Sequence, residues 1–131
     1  MATIDITAYV FDTFNKGLNT LTHILQVAEA HARKSGLDFD VDYLPARLAD
    51  DMRPLSFQIQ NATGTIKMHL GRLTGNAYPY WDDDEKSLGE LYARIAKTKE
   101  FLAAVDKTKV NERLDGGAEV DMYVSIDECW K

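Results

Sequence analysis

The chain has 131 residues, enough for one folded domain with a substantial core but too few for two. Its formal net charge of -6, from 21 acidic against 15 basic residues, repels a phosphate backbone, so nucleic acid is not an expected partner. No segment reaches the roughly 18 consecutive apolar residues of a membrane span, and no secretory signal is visible at the N-terminus. The single cysteine, Cys129, has no internal disulfide partner, which favours the cytoplasm.

The first predicted element is a long amphipathic helix over residues 6–35. Its apolar or small positions recur in steps of three and four, as bundle helices require: Phe11, Phe14, Leu18, Leu21, Leu25, Ala28 and Ala32. Gly36 follows two basic residues and can take a left-handed C-terminal conformation. We therefore expect the helix to end there.

Two more helices are predicted after a connection that contains Pro45. The second covers about residues 51–74, with Asp50 or Asp51 as its N-cap and Gly75 as its stop. The run from residue 76 to residue 85, which is aromatic and then acidic, reads as a solvated loop. Ser87 followed by Glu90 forms a capping box, which predicts a third helix over about residues 87–106.

The C-terminal segment changes from helical to alternating periodicity. Apolar and polar residues alternate over about residues 118–126, which predicts a short β-strand. A lone strand leaves its backbone groups unpaired, so a weak hairpin with Asn111 to Leu114, turning at Gly116 and Gly117, is one way to satisfy them.

Three blocks of the chain carry a family likeness: FNKGLNTLTHILQVAEAHA at 14–32, PARLADDMRPLSFQIQNATGTIKMHLGRLTG at 45–75 and DDEKSLGELYARIAKTKEFLAAVD at 83–106. Through them the chain resembles domain of unknown function 1993, a branch of the DinB-like superfamily, and its sequence resembles fungal members most. The resemblance implies an all-α, up-and-down four-helix bundle with a small β-hairpin before the last helix. Three long helices and one strand are recognisable here, and the fourth helix is expected to be missing.

This expected absence has an energetic consequence. Three helices built for a four-helix core leave an apolar stripe exposed, and burying a helix-sized face contributes several kcal/mol at about 25 cal/mol per Å². We therefore expect a homodimer, or a marginally stable monomer.

A candidate ligand pocket is predicted along the second helix. Gln58, Thr65 and His69 are spaced by seven and four residues, which places them along one side of a helix. Arg47 and Asp51 precede this helix and add polar groups to the candidate pocket. The alternative is that Arg47 and Asp51 form a structural ion pair that caps the helix.

A divalent metal is a weaker expectation. The resemblance implies histidine ligands in some DinB-like relatives, and His69 and His31 are the two candidates here. No HxxxH, HExxH or CxxC spacing brings two ligands together. The alternative interpretation makes His69 a hydrogen-bonded core histidine and His31 a residue on the flank of its helix.

Two functions from different classes fit these observations. The first is a bundle that binds a small molecule and associates with itself, for which no specific reaction can be derived. The alternative is a small-molecule enzyme, either a metal-assisted transferase or a tailoring isomerase or cyclase of fungal secondary metabolism, which rests on the family resemblance.

Overall fold

The computed structural model describes residues 4–117, which form a helical bundle. Four α-helices follow one another: α1 (Ile6–Ser35), α2 (Leu55–Thr74), α3 (Leu88–Ala103) and α4 (Lys107–Asp115). A single π-helical turn, Phe39–Tyr43, lies between α1 and α2. None of the helices between residues 4 and 117 combines the length and the apolar character that a bilayer crossing requires.

The α1 helix spans the predicted residues and is fixed at both ends. The Asp5 carboxylate accepts a hydrogen bond from the Ala8 backbone N–H at 3.0 Å, and Gly36 ends the helix with a φ of 68°. Four residues of the predicted apolar seam, spaced seven positions apart, are fully buried: Phe11, Leu18, Leu25 and Ala32. The three seam residues between them are half-buried: Phe14, Leu21 and Ala28.

The core lies where α3 packs between α2 and α1, with α2 and α3 making the most extensive helix pair. α4 closes one end by contacting both α2 and α1. The buried face of α2 includes Thr63 and Leu70, while His69 lies at the edge of the core.

The predicted start and cap of α2 are wrong. The helix begins at Leu55, and its N-cap is Pro54, which has no side chain able to cap. Backbone carbonyls take over this role, since the Leu55 N–H donates to the Ala46 oxygen at 2.9 Å and the Ser56 N–H to the Leu44 oxygen at 3.2 Å. The segment before α2 is thereby held against the start of the helix.

The third helix starts as predicted but ends three residues early. Ser87 is its N-cap and accepts from the Glu90 N–H at 3.2 Å, while the Glu90 carboxylate returns to the N–H of Lys86. Asp106, expected inside α3, instead caps α4 by accepting from the Thr108 N–H at 3.0 Å. A good N-cap residue at this position therefore starts a new helix.

The expected fold, three helices with a β-strand and no fourth helix, is corrected by this structure. Residues 4–117 contain a fourth α-helix and a π-helical turn, and no β-strand. Asn111 to Leu114, expected as one half of a weak hairpin, lie within α4, where Val110 is buried against the bundle. The predicted strand at about residues 118–126 lies outside the described residues.

Candidate functional site

The structure separates the polar residues predicted along α2. Gln58 is exposed near the start of the helix, where its Nε2 donates to the Arg53 carbonyl at 3.5 Å. His69 is half-buried and its Nδ1 donates to the Thr65 carbonyl at 2.8 Å, one turn earlier. Gln58 and His69 are eleven residues apart, roughly 16 Å along a helix that rises 1.5 Å per residue. Thr65 and His69 are therefore neighbours, whereas Gln58 belongs to a different part of the surface.

The two histidines proposed as metal ligands also lie far apart. The His69 ring contacts Phe14 edge-on, with centroids 6.2 Å apart, while His31 follows Phe14 by 17 residues on the same helix. That spacing corresponds to roughly 25 Å. Within the described range of 4–117, no group of three or more His, Cys, Asp or Glu residues is placed to hold a metal ion. Metal binding by His69 or His31 stays a prediction.

Arg47 and Asp51 do not form the ion pair that was the alternative interpretation. Both side chains are exposed, and the ion pairs found between residues 4 and 117 include neither of them. Arg47 instead lies beside a surface cleft, whose wall Gln58 shares. The structure thus places two of the five predicted pocket residues, Arg47 and Gln58, at one cleft and leaves Asp51 in solvent.

We call this feature the α2 cleft. It has a volume of about 400 Å³ and a lining dominated by apolar atoms: Tyr43, Ala46, Arg47, Leu48, Met52, Arg53, Leu55 and Gln58. Leu48 is 92% exposed and Met52 is 40% exposed, so two large apolar side chains face water at its rim. The charged groups Arg47 and Arg53 are both cationic.

The floor of the α2 cleft is fixed by contacts from the π-helical turn. The Tyr43 ring stacks on Phe39 with centroids 5.4 Å apart, and its hydroxyl is hydrogen-bonded to Nδ1 of His31. Backbone bonds from the first residues of α2 hold the neighbouring carbonyls, as described above. His31, proposed as a metal ligand, therefore positions an aromatic residue that lines the cleft.

A second polar site, the Arg94 cluster, was not found from the sequence. Its members surround the buried guanidinium of Arg94: Gln60, Thr63, Asp82, Asp83 and Glu85. Arg94 donates to the Thr63 hydroxyl at 2.7 Å, to the Asp82 carbonyl at 2.8 Å and to the Glu85 carboxylate at 2.8 Å. The cluster links α2, α3 and the segment 76–87 that connects them.

Burial and hydrogen bonding have opposite effects on the pKa of Glu85 in the Arg94 cluster. Burial alone raises the pKa of Glu85, but hydrogen bonds from Arg94 and from Gln60, the latter at 2.9 Å, outweigh it and leave the pKa lowered. The connecting segment, expected to be a solvated loop, is therefore partly anchored in the bundle. Only Asp82, Asp83 and Asp84 of its acidic run are exposed.

Trp81 is the aromatic residue of this segment that reaches the core. It is 9% exposed and meets the edge of Phe101, with ring centroids 6.0 Å apart. Three cations lie over its ring: Lys97 at 4.6 Å, Lys67 at 4.9 Å and Arg94 at 5.8 Å from the centroid.

The sequence does carry a signal for this site. Arg94 lies between Leu91 and Thr98 at helical spacing on the buried face of α3. Lys67 lies in the same way between Thr63 and Leu70 on α2, so a charge occupies each buried face. A charge at such a position needs a buried partner, and the acidic run between the two helices supplies one for Arg94.

The class that this fold defines is a DinB-like helical bundle. A solved DinB family member protein from Shewanella denitrificans is similar, with 34% sequence identity and a TM-score of 0.75 over 84% of this chain. The match spans 65% of the length of that protein. The chain belongs to the family described as Domain of unknown function (DUF1993), whose model matches residues 7–128. No curated protein matches the sequence.

Proposed function

We propose that this protein binds a small, largely apolar molecule in the α2 cleft. The observation that carries the proposal is the lining, an apolar surface enclosing about 400 Å³ with a few polar groups at its edge. Ligand sites in proteins combine a mostly apolar wall of this size with a small number of orienting polar groups. A ligand that covers the exposed side chains of Leu48 and Met52 removes apolar surface from water, which favours binding.

The polar groups of the cleft favour a ligand with one anionic group. Arg47 and Arg53 are the charged lining residues, and Gln58 adds an uncharged hydrogen-bonding amide. The Arg53 guanidinium lies 5.2 Å from the centroid of Phe57, which restricts its orientation. The cleft therefore suits an aliphatic or aromatic carboxylic acid better than an amine. A cytoplasmic location is part of the proposal, because a lone cysteine favours a reducing compartment.

The test is a fluorescence titration with anilinonaphthalene sulfonate, a probe that is both apolar and anionic, followed by displacement with decanoate. Met52→Asp places a negative charge in the apolar wall, and Arg47→Ala removes a cation. We expect Met52→Asp to weaken probe binding about tenfold, equivalent to about 1.4 kcal/mol, and Arg47→Ala to weaken it less.

Leu37→Asp is the matched control, because Leu37 is an exposed apolar residue that is not part of the cleft lining. Near-ultraviolet circular dichroism must show native packing in every variant, since the probe also binds partly unfolded chains. An equal loss of binding in Leu37→Asp and Met52→Asp, or an unchanged titration in Met52→Asp, would refute the α2 cleft as the binding site.

Self-association is a second proposal, supported by a different surface. Ile6, Tyr9, Ile24 and Val27 are each at least 48% exposed. Positions 6 and 24, like positions 9 and 27, are 18 residues apart, which is five full turns, so Ile6 and Tyr9 lie on the same face of α1 as Ile24 and Val27. The exposed residues Thr13, Gly17 and Thr20 separate the two pairs on this face. Two apolar patches on one helix face favour a second copy that covers both.

A further inference from the structure

Lys67 is a buried lysine in the middle of α2, on the opposite side of the helix from the α2 cleft. Nine residues, or two and a half turns, separate it from Gln58. The residue is 7% exposed, and its amine lies 4.9 Å from the Trp81 ring centroid and 5.6 Å from that of Tyr78. Two aromatic rings therefore lie beside the amine.

The nearby carboxylates are engaged by Arg94 rather than by Lys67. Arg94 pairs with Asp83 at 2.8 Å and with Glu85 at 2.8 Å. Across residues 4–117 no carboxylate comes within salt-bridge distance of the Lys67 amine. Burial lowers the pKa of Lys67, and the positive charges of Arg94 and Lys97 lower it further against the opposing effect of Asp83.

We propose that Lys67 is a nucleophilic lysine that condenses with a small aldehyde or ketone carrying an anionic group, and that the Tyr78 side chain covers its amine. Lysines become nucleophilic when they are desolvated or placed beside another cation, and both conditions hold here. The proposal uses none of the residues of the α2 cleft, so each stands or fails independently of the other.

The chemistry requires no further reactant. The ammonium gives its proton to water, and the neutral amine adds its lone pair to the carbonyl carbon. Loss of one water molecule from the carbinolamine then forms the C=N bond of an imine, with no change in oxidation state. Water reverses the step, so the adduct is stable only after reduction.

An anionic substrate is expected because of Lys97. This lysine is exposed and its amine lies 4.6 Å from the Trp81 centroid, so a second cation flanks the same indole ring as Lys67. Its ammonium is available to a carboxylate, whereas the guanidinium of Arg94 is already occupied by protein acceptors.

Tyr78 covers the amine through a contact that needs Gly71. A methyl group at Gly71 would collide with the Tyr78 ring, so the glycine provides the space in which that ring packs. Tyr78 is 45% exposed and its ring centroid lies 5.6 Å from the Lys67 amine, so the ring contacts both solvent and the surroundings of the amine. Removing the ring should open the amine to a reagent.

The experiment is labelling of the native protein with glyoxylate and cyanoborohydride at about pH 7, followed by peptide mapping of carboxymethylated lysines. We expect Lys67 to be modified several-fold faster than Lys16, although Lys16 is exposed. The hydrogen bond and negative charge of Asp12 raise the pKa of Lys16, which makes it the internal reference. Lys67→Arg identifies the Lys67 peptide by its loss.

Three further measurements separate a reactive lysine from a merely accessible one. Tyr78→Ala should speed labelling of Lys67 without changing that of Lys16. Lys97→Gln should slow labelling of Lys67 by glyoxylate more than by propanal. Lys99→Gln, which replaces the next lysine of α3, should leave both labelling rates unchanged. An adduct that survives peptide mapping without the reductant would exclude the imine route.

The proposal is overturned if Lys67 in the native wild-type protein reacts no faster than Lys16. Unchanged labelling in a folded Tyr78→Ala variant overturns the covering role of Tyr78. An equal effect of Lys97→Gln on labelling by propanal and by glyoxylate overturns the anionic preference. Because the wild-type comparison needs no variant, a misfolded substitution leaves the main result intact.

Discussion

The guanidinium of Arg94 and the carboxylate of Glu85 meet at 2.8 Å with both side chains nearly removed from solvent, at 5% and 11% exposure. Arg94 belongs to α3, and Glu85 ends the acidic run that precedes this helix. Gln60 of α2 donates to the second oxygen of the same carboxylate at 2.9 Å. This contact fixes the connecting segment, and with it Trp81, against two helices.

Removing Arg94 should destabilise the protein strongly. Arg94→Met keeps much of the side-chain volume but leaves Glu85 as an unpaired, largely buried charge, which costs about 3–5 kcal/mol. The free energy of unfolding, measured by urea denaturation, should fall by that amount. Lys16→Met is the control, because its pair with Asp12 is at least 59% exposed and contributes less than about 1 kcal/mol.

A double variant separates loss of the pair from loss of packing. Replacing both Arg94 and Glu85 by methionine removes the uncompensated charge, so the double variant should be more stable than Arg94→Met alone. If Arg94→Met behaves like Lys16→Met, or if the double variant is the less stable one, the cluster does not hold the segment.

The lowered pKa of Glu85 predicts a loss of stability in acid. A carboxyl whose folded pKa lies below its ordinary value of 4.5 stabilises the fold fully above that pH, and the contribution is lost as pH falls through the lower, folded pKa. Wild type should therefore exceed Glu85→Gln in stability by more at about pH 7 than at about pH 3. A difference that stays constant over this range would contradict the assignment.

The helical framework was predictable because it depends on local signals. The repeat that buries Phe11, Leu18 and Leu25 is visible in the sequence, and the left-handed glycine at position 36 and the Ser87 cap lie where their chemistry requires. These features involve residues within a few positions of each other, so periodicity and capping rules can predict them.

The candidate sites depend on contacts that no local pattern contains. Gln60 and Arg94 are 34 residues apart, and the sequence does not show that both side chains contact Glu85. Likewise backbone carbonyls, not Asp51, accept from the first N–H groups of α2 beside the α2 cleft. Of the five predicted pocket residues, Gln58 and Arg47 line this cleft, while His69 faces Phe14.

Gly64 offers a stabilising substitution. It lies inside α2, and a methyl group added there would meet no described atom within 4 Å, so close packing is not the reason for this glycine. Gly64→Ala should raise the free energy of unfolding by about 0.5–1 kcal/mol, because alanine is the better helix former. Gly71→Ala, in the same helix, should destabilise by displacing Tyr78. Equal effects of the two substitutions in urea denaturation would contradict this account.

Metal binding by the histidines is tested directly by elemental analysis of the purified protein. His69 and His31 are too far apart to share one ion, so we expect less than one equivalent of zinc to resist dialysis, with similar values in His69→Ala and His31→Ala. Stoichiometric metal that is lost only in His69→Ala would restore His69 as a ligand and favour the enzymatic alternative.

The two exposed apolar patches on α1 predict a dimer that one charge disrupts. If Ile6, Tyr9, Ile24 and Val27 face a second copy, Ile24→Glu puts a carboxylate into each half of the interface and should shift sedimentation velocity from dimer to monomer. Gln26→Glu is the matched control, since it adds the same charge about 200° around the helix from Ile24. A wild-type protein that sediments as a monomer at the highest concentrations tested would rule out self-association, and equal dissociation by both variants would place the contact elsewhere.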